Sequence, residues 1–183
     1  MYLPTLPAMT GFFHTTSSQV QLGLTASMIG LAVGQLLFGP LSDKMGRRPP
    51  LIAAMIMFLV ATIGCIYSTT IASFIGWRLI QGIAGAGGIV ISRSVAADKY
   101  SGRELAKMLA IIGAINGIAP IAAPIAGGSM ADSLGWQGIF WTLFILGIVL
   151  LAGSFNFCES LPAGQRKNSG WGDLYKSFTS VVG

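Results

Sequence analysis

Five long apolar runs, parted by short polar breaks, organise this chain: residues 22–41, 51–75, 79–92, 105–130 and 136–157. Within them apolar side chains occupy every helical face, whereas a helix resting on a soluble core shows a single apolar stripe. About 20 residues, rising 1.5 Å each, cross roughly 30 Å of hydrocarbon, and most of the runs reach that length. The run opening at residue 79 reaches it only by starting near Phe74 and taking Arg78 inside. The pattern predicts an all-α membrane protein. A further apolar stretch, residues 1–13, contains Pro4 and Pro7 and is too short to span. No basic residue precedes it, as the n-region of a signal peptide would require. It reads as the back half of a helix, so the expected bundle has an incomplete first helix.

Composition agrees with a membrane setting: 53% of the residues are hydrophobic and only 9% are charged, with a mean hydropathy of +0.72. The placement of the few charges supplies a topology. Lys44, Arg47 and Arg48 lie between the second and third segments, Arg93, Lys99, Arg103 and Lys107 between the fourth and fifth, and Arg166, Lys167 and Lys176 after the last. The alternate breaks, near residues 14–21, 68–77 and 131–136, carry no Lys or Arg. Ten of the eleven basic residues thus fall on one side, which the positive-inside rule makes cytoplasmic. Both ends are then cytoplasmic and the short first segment plus five more makes six. The net charge of +5 follows from topology and calls for no nucleic acid partner.

The eleventh basic residue is Arg78, at the far start of the fourth segment. A charge at membrane depth is costly unless it faces a cavity or a partner, which marks a functional site. The alternative is a side chain that snorkels to the far headgroups from a helix end. Both readings stay open on the residues alone. Small residues four apart, at Gly30/Gly34, Ala84/Gly88 and Gly113/Gly117, suit close backbone approach between helices in lipid. In "NGIAPIAAPIAGG", residues 116–128, Pro120 and Pro124 each remove a backbone donor in mid-span, so this helix bends.

Several chemistries find no residues to carry them. The single histidine, His14, lies in the first far-side break, and no span holds a metal-ligand pattern. Cys65 and Cys158 sit on separate segments and predict neither a disulfide framework nor a metal site. No glycine loop ending in Lys-Ser/Thr is present to cradle a nucleotide. The sequence predicts neither an enzyme nor a bound cofactor.

"GQLLFGPLSDKMGRRPPL" resembles the signature between the second and third helices of the major facilitator superfamily, Gly-x-Leu-x-Asp-Arg-x-Gly-Arg-Arg. Gly39, Leu41, Asp43, Gly46, Arg47 and Arg48 match, and Lys44 replaces the usual Arg. "RLIQGIAGAGG" is similar to the fourth-helix motif built on Arg78, Gln81 and Gly82. "APIAGG" resembles the fifth-helix antiporter motif Gly-Pro-x-x-Gly-Gly, with Ala123 in place of its first glycine. "MYLPTLP", "GIAPIAAP" and "ESLP" resemble the Bcr/CflA subfamily of drug:proton antiporters.

The resemblance implies an amino-terminal six-helix bundle over residues 1–158, with 159–183 opening a central cytoplasmic linker to an absent carboxy-terminal half. It implies export of small drug-like antimicrobials in exchange for protons, by alternating access, from the bacterial inner membrane. Asp43 would face the N-terminal end of a helix in the partner half. With Gly39, Gly46, Arg47 and Arg48 it would form a latch in the outward-facing state; a solvated loop is the plainer alternative. Arg78 would tune a proton-exchanging carboxylate, and Gln81 and Asn116 are polar candidates for the cavity, or simply helix–helix hydrogen bonds. Gly117, Pro120, Pro124, Gly127 and Gly128 form the antiporter-helix kink. The relatives it resembles place an Asp, the candidate for that carboxylate, just before the residues matching Met1 to Pro4. Here every acid (Asp43, Asp98, Glu104, Asp132, Glu159, Asp173) sits at a span end or in a loop. Proton coupling by this chain alone is therefore in doubt. A non-transporting half that must pair with a second one is the alternative.

Overall fold

The computed structural model describes residues 5–155, 159 and 160, apart from the side chains of 130–134. Six helices follow one another: α1 (Leu6–Phe13), α2 (Ser17–Met45), α3 (Arg48–Ile66), α4 (Ile71–Lys99), α5 (Gly102–Ser129) and α6 (Gly135–Phe155). The last two form one helical run, Gly102–Phe155, that turns at Gly135 with φ 64° and ψ −175°. Glycine adopts that left-handed φ at no steric cost. Helices α2 to α6 are each long and apolar enough to cross a membrane.

The ends of the helices follow local chemistry. The Thr16 and Thr70 hydroxyls accept from the amides of Gln19 and Ser73 and start α2 and α4. Gly46, at φ 93°, closes α2. The Thr70 cap corrects two boundaries. The apolar run 51–75 is two helices, because Thr70 caps a new one inside it and hands 71–75 to α4. Consequently α4 starts at Ile71, earlier than Phe74, and carries Arg78 in its second turn. Pro49 and Pro50 lie in the first turn of α3, since a missing N–H costs nothing there.

Close packing is uneven. Along the α2–α4 crossing a Cβ on Gly30 would lie 2.2 Å from the Leu79 carbonyl oxygen, one on Gly34 2.5 Å from that of Ile83, and one on Gly82 2.1 Å from that of Ser27. Only glycine permits this approach. Gly113 and Gly117 of α5 meet nothing within 4 Å, so spacing by itself did not identify a contact. Helix α3 packs on α4 and also on α6, where the Leu59 side chain lies over Gly147. Among the described side chains of α5 only Gly127 is buried, and Ile121 and Ile125 are largely exposed. At the end away from the basic loops, Phe12, Phe13, Phe74, Trp136 and Phe140 form an aromatic cluster with centroids 5.0–6.3 Å apart. That cluster fastens the short α1 to α4 and α6.

Candidate functional site: a half-buried arginine and a charge knot

Two polar constellations stand out in an otherwise apolar bundle. The first centres on Arg78, half-buried on α4. Its guanidinium donates to Gln81 Oε1 and, at 3.0 Å, to Ser27 Oγ of α2. Its Cζ lies 5.9 Å from the centroid of the Phe140 ring on α6, within cation–π range. Gln81 is 3% exposed and donates through Nε2 to Thr62 Oγ1 of α3 at 2.7 Å. One arginine and one glutamine thereby tie α2, α3, α4 and α6 together.

Beside Arg78 opens a cleft of about 420 Å³ between α4, α5 and α6, walled by Asn116, Pro120, Ala123, Phe140 and Leu143. Arg78 and Asn116 are the polar residues of its wall. Gln81 points away from it, into the helix–helix contact. Both prolines remain inside the helical run, as do Gly117, Gly127 and Gly128. Pro120 lines the cleft directly.

The second constellation is the knot at the basic end. Arg47 is only 6% exposed. Its Nε and Nη2 donate to the two carboxylate oxygens of Asp98 at 2.8 and 3.1 Å, and Nη1 donates to Asp43 at 2.6 Å and Ser42 at 2.8 Å. The planar fork of arginine matches a carboxylate in this bidentate way. The Asp98 hydrogen bond raises the Arg47 pKa above its ordinary value; burial opposes this, and Asp43 adds to the rise.

Just past α6, the Glu159 carboxylate accepts from the Arg47 and Arg48 amides at 2.8 and 3.2 Å. A negative charge at the positive end of α3 is favourable. Arg48 returns the contact by donating to the Phe155 carbonyl, at 2.7 Å, at the end of α6. Ser160 Oγ donates to Asp98 at 3.2 Å. Asp43, Gly46, Arg47 and Arg48 are thus brought together, and Gly39 contributes its carbonyl to Ser42.

Sequence reading missed Ser27, Ser42, Thr62 and Asp98 as members of these constellations. Asp98 and Glu159 carried one legible signal, an acid at a span end beside basic loops; the hydroxyls carried none.

A family model described as Major Facilitator Superfamily matches residues 1–180. The chain belongs to the major facilitator superfamily. This is a family of membrane transporters rather than enzymes, and its members span the bilayer many times. The chain is 36% identical to the uncharacterized MFS-type transporter YdgK of Bacillus subtilis, over all of this chain and 46% of that protein. It is also 36% identical to a chloramphenicol resistance protein of Pseudomonas aeruginosa, over 95% of this chain and 42% of that one. It spans about half the length of these curated relatives. Among solved structures, the human organic anion transporter MFSD10 matches 87% of this chain and 37% of its own at a TM-score of 0.68 and 24% identity, a likeness of fold. The superfamily bundle with a short first helix is therefore the architecture here.

Proposed function

We propose that this chain forms the amino-terminal half of a proton-coupled exporter of small, mostly apolar antimicrobials in the bacterial cytoplasmic membrane. Its basic loops and both ends lie in the cytoplasm. The observation that carries this reading is the Arg78 guanidinium, held by Gln81 and Ser27 inside an apolar bundle on the wall of the α4–α5–α6 cleft. A cation kept there at such cost suits a protein that must control a proton or a polar group in its interior. The chloramphenicol resistance relative supplies the class of cargo.

Each element then has a role. Arg78 holds down the pKa of a proton-exchanging carboxylate through its nearby positive charge. Asn116 meets substrate in the cleft, and Gln81 serves through Arg78. The Gly39, Asp43, Gly46, Arg47 and Arg48 knot latches the cytoplasmic end in one state of the alternating-access cycle. The Gly117, Pro120, Pro124, Gly127 and Gly128 kink lets α5 bend as the halves rock. The test is drug export against an imposed pH gradient in cells that pair this chain with a carboxy-terminal six-helix half. Arg78→Ala inserted at normal levels should abolish the pH-driven component, and retained coupling would defeat the assignment.

A second reading is favoured by the outward apolar face of α5: a half-bundle with no transport of its own until a second half covers that face. Transport by vesicles holding only the purified 183-residue chain would exclude it.

A further inference from the structure

The contacts of Gln81 have a direction that follows from counting protons. A side-chain hydroxyl has one hydrogen to donate, and its remaining capacity is as an acceptor. Thr62 Oγ1 spends its hydrogen on the Phe58 carbonyl one turn back in α3, at 2.7 Å. Toward α4 it is therefore purely an acceptor. The Gln81 group that faces it at 2.7 Å must be the amide nitrogen. The Gln81 oxygen is then forced to the other side, which is where the Arg78 guanidinium donates. Ser27 repeats the device on α2: its hydroxyl donates to the Leu24 carbonyl at 2.8 Å, leaving its oxygen to accept from Arg78 at 3.0 Å.

A glutamine amide has two faces of nearly equal shape, and either orientation fits the same space. Orientation matters here because a guanidinium has donors only. With the amide turned around, its NH₂ would oppose the guanidinium NH₂ groups, and its oxygen could be met only by turning the Thr62 hydrogen away from the Phe58 carbonyl. The contact with the cation would then be lost in a buried helix contact, which is costly. Removing the Thr62 oxygen deletes the acceptor that anchors the amide nitrogen and so holds the Gln81 oxygen toward Arg78.

The geometry points to Thr62 as the positioning residue that sets the orientation of Gln81 and, through it, the place of the Arg78 cation at the cleft. Thr62 is not part of the cleft wall, and it lies on α3, 19 positions from Gln81. A hydroxyl carries no net charge, so Thr62 acts by acceptor geometry. This inference rests on the role given to Arg78 above.

The test reads the cation directly. In the ¹⁵N-arginine-labelled chain in lipid nanodiscs, the Arg78 side-chain resonances are assigned by their loss in Arg78→Lys. A guanidinium held on both sides rotates slowly and shows separate Nη signals. Thr62→Val, nearly the same shape without the hydroxyl, should speed that rotation roughly tenfold or more, the effect of losing one charge-assisted hydrogen bond, and merge the signals. Thr62→Ser, which restores the hydroxyl, should keep them apart. Thr62→Ala carries the same expectation as Thr62→Val and replaces it if the valine is not accommodated. Separate signals in the hydroxyl-less variants would overturn the proposal, and so would merged signals in Thr62→Ser. The readout needs no transport. If Arg78 has no part in coupling, pH-driven export is already insensitive to Arg78→Ala, while this comparison of spectra stands unaffected.

Discussion

Replacing Arg47 by lysine keeps the positive charge of the knot and removes the fork that holds it together. The four side-chain hydrogen bonds of Arg47 come from three nitrogens: Nε and Nη2 on Asp98, and Nη1 shared between Asp43 and Ser42. A lysine ammonium is a single point and has no planar pair of donors to match a carboxylate. It can sit on Asp98 or on Asp43, not on both with this geometry. The Asp98 carboxylate is 14% exposed and Asp43 is 39% exposed, so water compensates Asp43 more fully than Asp98. Hydrogen bonds to charged groups contribute about 1.5–3 kcal/mol each. Loss of one arm on Asp98, with the Asp43 arm discounted for its exposure, predicts a destabilisation of about 2–4 kcal/mol. For a chain of this size that is a fall in melting temperature of roughly 5–15 °C. Thermal unfolding of the detergent-solubilised chain measures it. Because the Asp98 pair is sheltered, the loss should persist as salt is raised, unlike that of an exposed pair. A shift under about 2 °C, or one that vanishes in high salt, would refute the claim that a sheltered bidentate pair organises this end. A double-mutant cycle with Asp98→Asn should return a coupling of about 1–3 kcal/mol, and additivity would refute it equally.

The remaining expectations concern packing and capping. Gly82→Ala should separate α2 from α4 and cost about 1–3 kcal/mol or prevent folding, because the new Cβ would sit 2.1 Å from the Ser27 carbonyl oxygen. Gly113→Ala, which meets nothing within 4 Å, should be neutral or stabilising by under about 1 kcal/mol; thermal unfolding of the two side by side distinguishes a real contact from mere spacing. Glu159→Ala removes the carboxylate from the α3 amides and should cost about 1 kcal/mol. Amide hydrogen exchange at Arg47 and Arg48 should rise in that variant before the rest of α3 changes, and unchanged exchange would refute the cap.

How far the molecule could be read in advance differs between its parts. The number and order of the helices and the gathering of the basic residues at one end were legible, since the bilayer imposes length and hydropathy on each segment separately. The joint at residues 66–71 was misplaced for the same reason. Hydropathy runs straight through Ile71 to Ile75, and only the Thr70 cap divides it. The motif residues Asp43, Arg47, Arg48, Gln81 and Asn116 could be named as chemically unusual, but their partners could not.

What the sequence determined by itself is one-dimensional: which stretches enter the membrane, which face basic loops, and which positions carry groups that lipid will not tolerate unpaired. The tertiary structure decided who pairs with whom. Arg47 finds Asp98 51 positions away, and Glu159 reaches the Arg47 amide across 112. Gln81 finds its acceptor on Thr62, an ordinary-looking residue in an apolar run. Of three small-residue spacings only Gly30/Gly34 became a backbone crossing, with Gly82 answering from the other helix. The physical reason is that a helix projects its side chains all round, and in lipid each face is acceptably apolar. Which face meets which neighbour depends on crossing angle and register. Those are set jointly by several helices, and no single segment records them.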